Sequence, residues 1–215
     1  FELASGAFGT GDEISRCLRS LPSIWRLAGL LSLTFAEDFA VIDGSDASIP
    51  WLAVALPSFW APEEKVGRHF AQVHAPVADN TLLLHASQRL AALVTGADRW
   101  ERFVWTITGH PRLHAHPQRT DAARWPAVQE PEALAQHAWW RSEHQSFIPV
   151  PQQRQAVFTI LIDVQPLPIA LDSPAKARRV HDAVVSMTPE VLACRGLTTV
   201  RAPLLAWLEA RANAA

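Results

Sequence analysis

The sequence predicts an α+β domain built on a five-stranded antiparallel sheet. Three observations lead there. Apolar residues recur at helical spacing near both ends of the chain, over 11–34 and 174–212. Between those ends, five short runs switch to strand-like patterning: 35–42, 51–56, 103–108, 138–148 and 156–165. A helical stretch, 62–94, separates the first two runs from the last three. At 215 residues the chain is one domain's length, and it can bury a core without metal or disulfide support. We therefore expect one domain over 1–215, with a core at about 36–168, N-terminal helices at 11–34 and C-terminal helices at 174–212.

Taken in order, Asp12 sits where it can cap a first helix carrying Ile14, Leu18, Leu21, Trp25, Leu27 and Leu30, and Pro22 splits that helix in two. The strand from Phe35 stops at the Asp43-Gly44 turn, and the strand Trp51–Leu56 stops at Pro57. Pro62 and Glu63-Glu64 suit the first turn of a helix over 62–74, closed by Pro76. Asn80 caps a helix over 81–94. Period two then marks 103–108. Residues 109–131, rich in Pro, His and Arg, read as a long loop. The runs at 138–148 and 156–165 complete the sheet, and Pro166 and Pro168 end the last strand. Two strands, a helical crossover and three strands is the order of a PAS-type domain, a sheet wrapped around a ligand pocket with the central helices as its lid.

Composition narrows the function. There are 19 basic against 21 acidic residues, a net charge of −2, without the basic stripe a nucleic-acid partner requires. The two cysteines, Cys17 and Cys194, form no CxxC, so a reduced, cytoplasmic setting is expected. Phe1-Glu2-Leu3-Ala4 lacks a basic n-region, and no run approaches the roughly 20 apolar residues of a membrane span. No G-x-S-x-G, Walker A, G-x-G-x-x-G or H-E-x-x-H occurs, which leaves hydrolase, kinase and nicotinamide-enzyme readings without a motif. The nine tryptophans, with no tyrosine, serve as core or pocket wall.

Three constellations can carry chemistry. His74 ends an apolar helix face just before Pro76. By itself it reads as a packed histidine; among Val73, Pro76 and Val77 it also has the apolar setting a haem-ligating imidazole needs, with Arg68 and His69 a turn or two earlier. His69 and His85 are the other candidate ligands. His110, His114 and His116 form an H-x-H-type cluster, but in a proline-rich segment without a completing Asp, Glu or Cys, so an exposed polar loop is the default and a metal site the alternative. On a strand, Arg141, Glu143 and Gln145 share one face, flanked by Trp139 and Phe147 in phase with them. That face is a polar pocket wall or a solvated surface.

Three stretches together resemble a known family. "PSFWAPEEKVGRHFAQVHAPV" is similar to the P-S-x-W-x-P-x-x-K-x-G…[IV]-H-x-P-V signature of the haem-dependent oxidative N-demethylases. "RSEHQSFIPVPQQRQAVFTILIDVQPL" resembles their R-x-E-R-Q…F-T-I…P-L stretch, and "MTPEVLACRGL" their M-P-x-E…Y-K-G segment. The resemblance runs from about Ala36 to Leu208. It implies a PAS-like fold holding haem b and O₂-dependent removal of a methyl group from a small secondary amine. Electrons would come from NADPH through partner reductase subunits carrying flavin and iron–sulfur centres, and the formaldehyde would pass to a tetrahydrofolate-binding partner. This chain has no reductase fingerprint of its own. By matched position, His74 is the expected iron ligand or haem-pocket residue. Trp60, Lys65 and Gly67 match the same signature, and Lys65 and Arg68 could meet propionates. Arg141, Glu143 and Gln145 match the second stretch, Glu143 as the group that holds the amine. The sequence departs from the family at His144, across 147–151, and at Cys194-Arg195-Gly196. A haem or small-ligand sensor without catalysis is the alternative reading.

Overall fold

The computed structural model describes residues 12–75, 81–127 and 130–214, with the side chains of Leu82 and Leu83 left out. It is α+β, with one five-stranded antiparallel sheet in the order β2-β1-β5-β4-β3. That is the PAS-like order expected from the strand pattern. The strands are β1 (Glu37–Asp43), β2 (Trp51–Ala53), β3 (Trp100–Thr108), β4 (Trp139–Val150) and β5 (Gln155–Pro166). Long β4 and β5 form the central hairpin, paired from Trp139↔Pro166 to Val150↔Gln155.

The N-terminal helices are α1 (Glu13–Ser20) and α2 (Arg26–Thr34), parted by a 3₁₀ turn after Pro22. Asp12 occupies the N-cap position of α1 but makes no side-chain cap; its carboxylate pairs with Arg16 at 3.3 Å. β2 is shorter than the expected strand to Leu56. Asp38 explains this: its carboxylate accepts from the backbone N–H of Ala55 (2.6 Å) and Leu56 (3.1 Å), taking donors a longer β2 would have given to β1.

The continuous helix expected over 62–74 is not formed. A 3₁₀ turn (Pro62–Glu64) is followed by Gly67 at φ +75°, and a short helix, α3 (Phe70–His74), starts afresh. The intervening residues pair with the 47–49 segment: Gly67 N–H donates to Ile49 O (2.7 Å), Ile49 N–H to Arg68 O (2.9 Å) and Phe70 N–H to Ala47 O (2.7 Å). His69 caps α3 through a capping box with Gln72. The helix expected over 81–94 is two, α4 (Thr81–His85) and α5 (Ser87–Val94). Pro76 and Asn80 lie outside the described residues.

Three helices are additional to the expectation. α6 (Pro131–Gln136) closes the 109–131 loop, α7 (Leu167–Ala170) follows β5, and α9 (Pro189–Cys194) follows α8 (Pro174–Ser186). With α10 (Arg201–Ala212), they cover one end of the sheet. The larger core lies there, with Ile107, Leu134, Leu167, Val184, Leu204 and Leu208 all buried. A second, smaller cluster (Ile42, Ala47, Ala91, Phe147) lies beneath α5. Cys17 and Cys194 are both free thiols. Among the described residues no helix is long and apolar enough to cross a membrane.

Candidate functional site

Between the sheet and the 49–74 segment lies a cavity of about 450 Å³, within the size range of ligand pockets. Strand parity builds its floor. Ala40 and Ile42 from β1, Phe158 and Ile160 from β5, Arg141, Glu143, Gln145 and Phe147 from β4, and Arg102, Val104 and Thr106 from β3 all line it. The pairings Arg102↔Gln145, Val104↔Glu143 and Thr106↔Arg141 bring the polar ones side by side. Ile49, Leu52, Val54, Trp60, Phe70 and Val73 complete an apolar wall.

His74 lines this cavity at the last turn of α3. Its Nδ1 lies 2.8 Å from Phe70 O, so Nδ1 carries the proton and donates, and the lone pair of the neutral ring is on Nε2. The ring also packs against Phe70, centroids 4.1 Å apart. Burial pushes the His74 pKa below its ordinary value; the bond to Phe70 opposes this, and nearby Arg102 and Lys65 reinforce it. Lys65 also lines the cavity and donates from Nζ to Val73 O at 3.0 Å, tying down the end of α3.

The other candidate ligands lie elsewhere. His69 serves as the α3 cap, accepting from Ala71 N–H at Nδ1, and His85 is exposed; neither lines the cavity. Arg68 is exposed and outside the lining, and its carbonyl accepts from Ile49 N–H at 2.9 Å. Val73 forms part of the wall, while Pro76 and Val77 lie outside the described residues.

Arg141 is 1% exposed, and each of its three guanidinium nitrogens donates within the protein. Nε donates to Ser58 Oγ (2.9 Å), Nη1 to Arg112 O (3.0 Å), and Nη2 to Leu113 O (2.8 Å), Leu56 O (3.2 Å) and Pro57 O (3.4 Å). It staples two loops to the sheet. Those loops also pair with each other, Phe59 N–H to Ala115 O (2.7 Å) and Ala115 N–H to Pro57 O (2.9 Å). They hold Phe59, a cavity residue, at φ +63°, a conformation that costs a non-glycine residue about 1–3 kcal/mol. The Pro57-Ser58-Phe59-Trp60 stretch is thus fixed by a side chain more than eighty positions away.

Glu143 makes no hydrogen bond or ion pair with Arg141 among the described residues, although the two interact electrostatically. Its Oε2 accepts from Gln145 Nε2 at 2.5 Å, and Gln145 Oε1 accepts from Arg102 Nε at 2.5 Å. Gln145 is buried, and Arg102, exposed as a residue, turns its guanidinium inward over the Phe147 ring at 5.8 Å. Burial lowers the pKa of Arg102 and of Arg141, with Glu143 opposing in each case. Buried Asp38 is pushed up by burial, against the two N–H donors that favour its ionised form.

Sequence reasoning misses Arg102, Asp38 and Arg195. Asp38 was legible by parity, in phase with inward-facing Ala40 and Ile42. Arg102 needs the β3–β4 register, which no local pattern gives. Arg195 lines the cavity from beyond α9, its Nη1 donating to Trp105 O at 2.6 Å with the guanidinium over the Trp105 ring.

Of the histidine cluster, His114 and His116 stay together, their rings nearly parallel with centroids 6.2 Å apart, while each also makes its own polar contact. His114 Nδ1 bonds Ala55 O (2.8 Å), His116 Nε2 pairs with Glu63 (3.1 Å), and His110 packs on Phe59. Among the described residues no group of three His, Cys, Asp or Glu side chains could hold a metal ion.

An open antiparallel sheet over an apolar cavity with a few convergent polar groups defines a protein with an interior ligand site. Residues 22–205 match the family described as haem-dependent oxidative N-demethylase, alpha subunit-like, and the chain belongs to that family. The family's name carries haem dependence, and "alpha subunit" implies further subunits.

Proposed function

We propose that this chain binds haem b in the cavity through His74 and catalyses O₂-dependent N-demethylation of a small secondary amine. The observation that carries the reading is His74. It is the candidate histidine that lines the cavity, on a helix end tied by Lys65, in the tautomer with its lone pair on Nε2. A backbone carbonyl on the far nitrogen of an iron-ligating imidazole is the usual arrangement, since it fixes ring orientation and raises basicity. The apolar lining suits a porphyrin face.

Haem would supply the one-electron and O₂ chemistry that side chains lack. The reaction oxidises the methyl C–H bond beside nitrogen, reduces O₂ with two external electrons, and breaks the C–N bond to release formaldehyde. The chain's share is placement. Glu143, with acceptor capacity beyond its bond to Gln145, holds the protonated amine by a charge-assisted hydrogen bond. Gln145 and Arg102 fix that carboxylate. Arg141 acts through loop position, and Trp60 and Phe59 exclude water. Lys65, which lines the cavity, would be placed to meet a propionate. The electrons come from partner reductase subunits using NADPH, flavin and iron–sulfur centres, and the formaldehyde goes to a tetrahydrofolate-binding partner; a cytoplasmic location fits both.

The test is the absorption spectrum of haem-reconstituted protein. His74→Ala shifts or abolishes the Soret band, and His69→Ala and His85→Ala leave it unchanged; an unaltered band in His74→Ala would eliminate the ligand assignment. Glu143→Gln then keeps the band and loses amine-dependent formaldehyde release.

A further inference from the structure

A second concave region lies outside the cavity, between the end of β3, the 109–126 segment and the α6–β4 junction. It is a cleft of about 730 Å³. Its charge is one-sided. Arg112, Arg119 and Arg124 line it, all exposed, and none has a side-chain hydrogen bond or ion pair among the described residues. His137 adds a further imidazole, and Asp121 is the one carboxylate among the described residues of the wall. Asp121 Oδ1 is already engaged by Ala123 N–H at 2.9 Å.

Two buried polar atoms on the same wall have no partner among the described residues. His110 Nδ1 accepts from Arg112 N–H at 3.2 Å, which puts the proton of the neutral ring on Nε2. That buried Nε2–H has no acceptor. Thr120 is nine-tenths buried, and its hydroxyl has no partner either. Buried donors nearly always find acceptors, so a pair of orphans on one wall is a deficit that a ligand can fill.

We propose that this cleft binds a small, multiply charged oxyanion, a phosphate ester or a polycarboxylate. Guanidinium forks match both groups, because two parallel N–H donors meet two oxygens. Trp125, Pro126 and Trp139 back the cleft with apolar surface for an organic moiety, and Trp125 is fixed by its Nε1–H bond to Gly196 O at 2.7 Å. The site stands apart from the haem reading, although the two regions share a wall: the carbonyls of Arg112 and Leu113 accept from Arg141.

The experiment is calorimetric titration of the full chain with inorganic phosphate and, separately, citrate, at ionic strength held constant with NaCl. Saturable one-site binding is expected. Arg119→Ala and Arg124→Ala each weaken it about tenfold or more, the worth of a charge-assisted bond. Thr120→Val weakens it several-fold without moving the melting temperature, and Arg89→Ala on α5, outside the cleft, changes nothing. Tighter phosphate than citrate assigns a phosphate ester; the reverse order assigns a polycarboxylate. Absence of saturable binding, a heat that NaCl alone reproduces, or affinity that survives the Arg119→Ala/Arg124→Ala double variant would overturn the proposal.

Discussion

Arg141 illustrates what one residue's sequence context can and cannot reveal. The spacing Arg141-x-Glu143-x-Gln145 is enough to put three polar side chains on one strand face, and all three line the cavity. It says nothing of what the guanidinium touches, because its acceptors are backbone carbonyls of loops far away in sequence. Four carbonyls and one hydroxyl converge on a side chain with almost no exposure. A lysine carries a single point charge on three donors and cannot span that set. Arg141→Lys should therefore destabilise the protein by roughly 2–4 kcal/mol, since carbonyls left unpaired inside the protein bear the full cost of lost hydration. The midpoint of urea unfolding measures it. A variant as stable as the parent would mean that the staple carries no stability. Glu143 is the contrasting case: its carboxylate keeps spare acceptor sites because Arg141 is engaged elsewhere, and that spare capacity is what an ammonium could use.

At the scale of elements, the five strands were legible because alternation and turn signals are local. The crossover was legible only in part. Residues 62–74 have helical composition, but Gly67 and the pairing with 47–49 divide them, and tertiary hydrogen bonds overrule propensity there. α6 and α9 are six residues each, too short for a periodic pattern to stand out. Two glycines separate backbone strain from crowding. Gly67 sits at φ +75° with open space where a Cβ would go, so Gly67→Ala should cost only the left-handed penalty, about 1–2 kcal/mol. Gly196 sits at φ +67° with the Ala122 carbonyl oxygen 2.2 Å from a would-be Cβ. Gly196→Ala must add a displacement of the 122–125 backbone to the same penalty, and should be the more damaging by a clear margin in thermal melts. Equal losses in the two variants would mean that the 122–125 segment yields freely.

Across the whole molecule, the larger core and the cavity draw on alternate residues of the same strands: Ile107 and Trp140 pack in the core, and Thr106 and Arg141 line the cavity. The larger buried cluster gathers α6, α8 and α10 with Ile107 of β3, and Trp105 borders both this cluster and the cavity. The cavity side has the small cluster of Ile42, Ala47, Ala91 and Phe147, and its walls are largely loop and short helix. Segments with few buried apolar contacts open at low free energy, so 47–74 and 109–116 should exchange amide hydrogens fast while β4, β5 and α8 exchange slowly. A ligand bound only by the closed state shifts that opening by mass action. Haem at one hundred times its dissociation constant contributes about 2.7 kcal/mol, or roughly a hundredfold slower exchange where opening exposes the site. Hydrogen exchange followed by mass spectrometry, with and without haem, should therefore show protection concentrated in 47–74 and in the loop held by Arg141, with α8 and α10 little changed. His74→Ala should remove most of that protection while leaving the exchange of the C-terminal helices as it was. Protection spread evenly over the chain, or absent from 47–74, would mean that haem does not enter between the sheet and α3.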